Sequence, residues 1–163
     1  MYRGISVLVT VFLACALTAC EVRISDPSKL KAGQSTGFDV RDVYGKPSSE
    51  WKEPDGGTVW MFVKGPMGYQ TYKATIGSDN VLKSMEQVLS DAYFAKVQKG
   101  MSMMEVERLL GKPAEDVTFA LKKERVWTWR YEASPSLKRM FDVHFDTNGQ
   151  VVEINRRDDP ATG

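Results

Sequence analysis

Few side chains in this 163-residue chain could do chemistry on a small molecule: it has one histidine, His144, and two cysteines, Cys15 and Cys20. His144 lies in an alternating run, Phe141-Asp142-Val143-His144-Phe145-Asp146, so on a strand its ring shares a face with Asp142 and Asp146. Carboxylates at that spacing raise an imidazole pKa and are potential metal ligands. A hydrolytic triad or a zinc site needs a second histidine or a free thiol, and the sequence supplies neither. Three polar residues alternating with apolar ones read more simply as a solvated strand face. Asp158-Asp159 precedes Pro160-Ala161-Thr162-Gly163, the composition of a flexible tail over 158–163. Asp55-Gly56-Gly57 and the glycines from Gly65 to Gly68 lack the spacing of a phosphate loop and read as turns. The expectation is a protein that is not an enzyme and carries no metal or cofactor.

Recognition chemistry is better represented. Four tryptophans and six tyrosines are the side chains that most often anchor interfaces. Trp51 sits in a polar, charged stretch from Ser48 to Pro54 and is a candidate partner-binding residue. Met101 and Met103, with Met104, flank a helix start, where adaptable thioethers suit a pocket rim or core filling; Met101 and Met103 join the candidates. Trp60, Trp127 and Trp129 are expected in the core.

The elements that must carry these residues begin after a leader. Arg3 supplies a positive start and Ile5 to Leu17 an apolar run too short to span a bilayer, a secretory signal. Leu17-Thr18-Ala19-Cys20 resembles the lipobox of bacterial lipoproteins, in which cleavage precedes the cysteine and its thiol takes a diacylglycerol. The resemblance implies a signal peptide over 1–19, lipid attachment at Cys20 and a lipidated linker over 20–27. Cys15 leaves with the signal, so no intramolecular disulfide is available and the fold holds by packing alone. The two or three acyl chains of such an anchor, palmitate among them, hold firmly, at about 0.8 kcal/mol per buried methylene. Glu21 stands where an Asp would favour retention at the inner membrane, so the resemblance implies the outer membrane, periplasmic face. Arg3 is the only charge lost with the signal, and the remaining acidic and basic residues balance. That balance argues against nucleic-acid binding.

The mature chain then repeats itself. Gly33 through Asp39-Val40 to Gly45-Lys46-Pro47 matches Gly100-Met101-Ser102 through Glu105-Val106 to Gly111-Lys112-Pro113. Thr36 with Asp39, and Ser102 with Glu105, form capping boxes. Gly45 and Gly111 end the helices, and Pro47 and Pro113 prevent their continuation. Val59-Trp60-Met61-Phe62 and Val126-Trp127-Thr128-Trp129 both alternate large aromatics, as half-buried strands do. Asp79-Asn80 and Asn148-Gly149 each separate two strand-like runs. Ser90-Asp91 opens a further helix, with Ser25 to Leu30 in its place in the first copy. The predicted fold is α+β: a first unit over 28–88 and a second over 89–157, each two short helices followed by a three-stranded antiparallel sheet. Units this small bury only about 60% of their unfolded surface, so the two should pack together, around Trp51, Trp60, Trp127 and Trp129.

Gly100-Met101-Ser102, Leu109-Leu110-Gly111-Lys112-Pro113, Val126-Trp127-Thr128-Trp129-Arg130-Tyr131 and Val143-His144-Phe145-Asp146-Thr147-Asn148-Gly149 resemble the SmpA/OmlA (BamE-like) family of outer-membrane lipoproteins. The resemblance covers 90–155, with 28–86 as a weaker second copy where that family carries one domain. It implies a non-catalytic interaction or scaffold module in outer-membrane protein assembly or envelope integrity, with β-barrel assembly components or another envelope protein as partner. β-Lactamase inhibitor proteins are similar in having two tandem units, which implies an alternative: a lipoprotein that captures a partner enzyme between its units.

Overall fold

The computed structural model of the protein describes residues 26–64 and 67–162. The leader and Cys20 lie outside the described residues. Within them, each half of the chain takes the same path of a capped helix followed by four antiparallel strands. In the first half α1 (Gly37–Tyr44) leads to β1 (Ser49–Lys52), β2 (Thr58–Lys64), β3 (Gln70–Ile76) and β4 (Leu82–Gln87). In the second half α2 (Asp91–Phe94) and α3 (Met103–Leu110) lead to β5 (Glu115–Phe119), β6 (Glu124–Ser134), β7 (Leu137–Phe145) and β8 (Val151–Asp158). Strands adjacent in sequence are adjacent in space, in the orders β1-β2-β3-β4 and β5-β6-β7-β8.

The expected unit of two helices and three strands is therefore corrected at both ends. Where the first copy should open with a helix there is a single 3-10 turn, Pro27–Lys29. Its sequence has no apolar face to bury, and Gly33 at φ 77° turns the chain before another turn of helix can form. Each sheet also gains a leading edge strand. Ser49-Glu50-Trp51-Lys52 lies in the stretch read as polar and charged, and Glu115-Asp116-Val117-Thr118-Phe119 carries no strand prediction; neither has a wholly apolar face. Their extended form comes from pairing: Trp51 sits opposite Val59, and Val117 opposite Val126. Trp51 is thus a strand residue.

Local capping follows the sequence. Thr36 Oγ1 accepts the Asp39 amide at 3.3 Å while the Asp39 carboxylate accepts the Thr36 amide at 2.7 Å; Ser102 and Glu105 repeat this at 3.3 and 2.8 Å. Each copy ties the approach to its helix to its last strand: the Leu82 amide donates to Ser35 O, and the Val151 amide to Met101 O, both at 2.8 Å. A register irregularity falls at the same place in both sheets, Thr75/Ile76 and His144/Phe145.

The layers run α1, first sheet, α2 with α3, second sheet. Val40 of α1 packs on Trp60, Phe62, Ala74, Ile76 and Leu82. The larger core gathers Phe94, Val106 and Leu110 from the helices against Trp127, Trp129, Tyr131, Phe141, Val143 and Phe145. Phe94 stacks on Phe141 with ring centroids 4.3 Å apart. The Trp129 indole donates to Gly111 O at 3.1 Å, satisfying a carbonyl just past the end of α3. Met61 and Val88 of the first half join this second core, with Leu89 just before α2.

That arrangement corrects the expected tryptophan seam. On β2, alternation turns Trp60 and Phe62 toward α1 and Val59 and Met61 toward the other half, so Val59 to Phe62 is buried on both faces. Met61, rather than Trp60, fills the contact between halves. Asp159 is not in a frayed tail either. It is buried, accepting from Tyr69 OH at 2.7 Å and the Ala161 amide at 2.9 Å, with Arg130 Nε at 3.8 Å.

Candidate functional site: the open face of the second sheet

Period-two alternation divides the second sheet cleanly. β6 and β7 turn Trp127, Trp129, Tyr131, Phe141, Val143 and Phe145 onto α2 and α3. Val126, Thr128, Asp142 and His144 consequently point the opposite way, and the strand register sets them side by side: Thr128 opposite Asp142, Val126 opposite His144. β5 adds Glu115 and Val117 beside Thr128 and Val126; β8 adds Glu153 and Asn155 beside His144 and Asp142. Together they form a shallow depression of about 220 Å³, lined by Val117, Phe119 and Val126 on one side and Glu115, Thr128, Asp142, His144 and Arg157 on the other.

The polar half is held in place by mutual bonding. Asp142, 6% exposed, accepts from Thr128 Oγ1 at 2.6 Å and from Arg157 Nε at 2.6 Å. A buried carboxylate is tolerated because both its oxygens are engaged by the hydroxyl and the guanidinium. Hydrogen bonding to Asp142 in turn holds the Arg157 guanidinium above its ordinary pKa. Arg130 Nη2 donates to Glu115 at 2.6 Å. His144 Nδ1 is 3.3 Å from Glu124 and its Nε2 3.3 Å from Asn155 Nδ2.

His144 therefore bonds Glu124 and Asn155, not the flanking Asp142 and Asp146 that alternation suggested. Asp146 instead receives the amides of Asn148 and Gln150, both at 2.9 Å, shaping the hairpin turn. The expected solvated strand face is organised and partly buried. Chemically it is a preordered polar surface, in which Glu115 is paired with Arg130 and Asp142 with Arg157. Among the described residues no three or more His, Cys, Asp or Glu side chains are placed to hold a metal ion. No helix among them is long and apolar enough to cross a membrane.

Exposed apolar side chains cluster beside the depression. Val117 is 43% and Phe119 46% exposed, and Leu121, at the tip of the β5–β6 turn, is fully exposed and followed by Lys122 and Lys123. Met104 at the start of α3 is 61% exposed.

The residues singled out from sequence lie elsewhere. Trp51 packs against the larger core and donates from Nε1 to Glu53 at 2.9 Å. Met101 and Met103 are likewise half-buried against that core, leaving Met104 as the exposed methionine of the trio. None of the three lines the depression. Sequence reasoning placed Asp142 only beside His144 and missed Thr128 and Arg157, which lie 14 and 15 residues from it in the chain; the only signal was polar residues alternating with aromatics on two neighbouring strands.

No family model matches the chain, and no curated protein does. Among solved structures, a candidate beta-lactamase inhibitor protein from Streptococcus mutans is similar at 13% identity over 80% of this chain and 92% of its own, with a TM-score of 0.32. A DUF4309 family protein from Bacillus subtilis is similar at 12% identity over 80% of this chain and 83% of its own, also with a TM-score of 0.32.

Proposed function

We propose that the protein is a lipid-anchored, non-catalytic interaction module of the cell envelope, held at the outer membrane through Cys20. On this reading it presents the open face of its second sheet to a protein partner in the periplasm. The observation that supports it best is the composition of that face. It joins exposed Val117 and Phe119 to a hydrogen-bonded Thr128–Asp142–Arg157 group whose threonine and aspartate are buried, which suits specific contact better than turnover. The motifs of Gly100 to Val152 that resemble SmpA/OmlA lipoproteins make outer-membrane protein assembly the process in which the partner is sought.

Two measurements test this separately. Mass spectrometry of the protein from native membranes should find Cys20 at the mature N-terminus carrying acyl chains; an unmodified Cys20 overturns the anchor. A photoreactive amino acid replacing Val117 should crosslink to one envelope protein, with barrel-assembly components as the expected product. Crosslinks no more specific than those from a probe at Val63, in the other half, would overturn the assigned face.

A further inference from the structure

The internal repeat shows what covers a sheet face of this kind. Matching Gly45 with Gly111 and Trp60 with Trp127 sets Trp51, Val59 and Met61 of the first sheet in the places of Val117, Val126 and Thr128 in the second. The pairing agrees, since Trp51 opposes Val59 as Val117 opposes Val126, and Ser49 opposes Met61 as Glu115 opposes Thr128. On the first sheet this face is occupied. α3 lies along it: Glu107 accepts from Ser49 Oγ at 2.8 Å, and the Arg108 guanidinium stands 6.0 Å from the Trp51 ring. Gly111 brings the helix end down onto Met61 and Thr71, while Tyr93 of α2 donates to the Glu86 carboxylate. On the second sheet no α-helix of the described residues covers the equivalent face, although Val126, Thr128 and Asp142 at its centre are themselves buried. Its Val117 and Phe119 are exposed at the position where Trp51 of the first sheet is packed.

We infer that the outer face of the second sheet is a docking site for an amphipathic, basic helix of a partner protein, seated there as α3 sits on the first sheet. Charge selects the basic character. With Glu115 paired to Arg130 and Asp142 to Arg157, Glu124 and Glu153 are the carboxylates in excess on the face, and Asp142 stands where the first sheet has Lys73. Apolar contact comes from the exposed Val117 and Phe119, which stand over the buried Val126. A second copy of this chain fits the surface less well: among the described residues its α1 is preceded by the 3-10 turn at Pro27–Lys29 with Leu30 packed beside it, where α3 has Leu89, Tyr93 and Phe94. The inference rests on the interaction-module reading and specifies the partner's chemistry.

The test uses the full mature chain made soluble by Cys20→Ser and labelled with nitrogen-15. The probe is a synthetic amphipathic helix with leucine on one face and lysine on the other. Its controls are the same peptide with glutamate for lysine, and the leucine–lysine composition interrupted by proline. The helical basic peptide should shift the amides of Val117, Val126, Thr128 and His144. Val117→Lys, at an exposed edge where folding is undisturbed, should weaken binding at least tenfold, while Val63→Lys in the other half should leave it within twofold. Shifts that map elsewhere, equal binding of the proline-interrupted peptide, or indifference to Val117→Lys would each overturn the inference. So would concentration-dependent self-association that shifts the same amides without peptide, which would identify a second copy as the occupant. A negative result here, with acylated Cys20 and specific crosslinks from position 117, removes the helix and leaves the interaction module standing.

Discussion

Gly45 and Gly111 occupy the same repeat position with nearly the same backbone, φ 78° and ψ −153° against φ 77° and ψ −172°, and so form an internal control for the contact between halves. Both lie in a region essentially reserved for glycine, where any other residue costs on the order of 1–3 kcal/mol. Around Gly45 the space is open, with nothing within 4 Å of where a Cβ would stand. At Gly111 that Cβ would lie 2.9 Å from Thr71 Cγ2 and 3.3 Å from Met61 Cε. The methionine tip can move, but the threonine methyl is held on β3, so the end of α3 must lift from the first sheet. Overpacking of that kind adds roughly 1–3 kcal/mol. Gly45→Ala should therefore cost only the backbone strain, and Gly111→Ala the strain plus the clash. Urea unfolding of the soluble Cys20→Ser protein reads the difference as a lower midpoint at unchanged slope. By thermal unfolding it amounts to on the order of 5 °C for a chain of this size. Thr71→Ser, which removes the obstructing methyl, should recover part of the loss in Gly111→Ala and none in Gly45→Ala. Equal destabilisation by the two alanines, within about 0.5 kcal/mol, would refute the claim that α3 is seated on the first sheet through Gly111.

Three further outcomes are expected. Tyr93 is pushed up to about 12 by burial and by its bond to Glu86, so the stability it contributes is present below pH 10 and lost as pH rises through 12. Absorbance at 295 nm should show a tyrosinate step near pH 12 that is lost in Tyr93→Phe; complete titration of all tyrosines by pH 11 would contradict this. Asp159 is pushed upward most by burial, yet its bonds from the Ala161 amide and Tyr69 and the charges of Arg130 and Arg157 outweigh that and hold it below its ordinary 3.8. Its contribution is thus present above about pH 4 and lost on further acidification. Asp159→Asn should lower stability at pH 7 by roughly 1–3 kcal/mol and flatten the acid limb of the stability–pH profile. Thr36→Ala and Ser102→Ala each remove one capping box and should cost about 1 kcal/mol in denaturant unfolding. A null effect at either position would show that its helix start is held by the strand contact alone.

Legibility in the sequence tracked the range of the interactions. Helix caps, glycine stops and hairpin turns are local, and Thr36–Asp39, Ser102–Glu105 and the Asn148-Gly149 turn stand where their spacing puts them. Strands with one apolar face were equally plain, as at Trp127 and Trp129. The edge strands β1 and β5 were not, because an edge residue is extended by its neighbour's hydrogen bonds rather than by its own burial. Trp51 looked like an exposed loop anchor for the same reason: the charged residues around it are real, but the core that half-buries it comes largely from residues beyond position 88.

The site divides along the same line. Alternation alone places Asp142 and His144 on the face opposite Phe141 and Val143, and the sequence by itself settles that the second sheet has an aromatic side and a polar one. It also settles the repeat, with both helix starts and stops at matched positions, since these depend on residues three to nine apart. Only the tertiary structure decided that Thr128, Asp142 and Arg157 converge, because strand register is a property of paired backbones and not of any one run. Only it decided, too, that one copy of the repeated face is covered by α3 while the other stays open. Two sheets cut from one pattern differ in the layer packed on them, and that layer is supplied by residues remote in the chain.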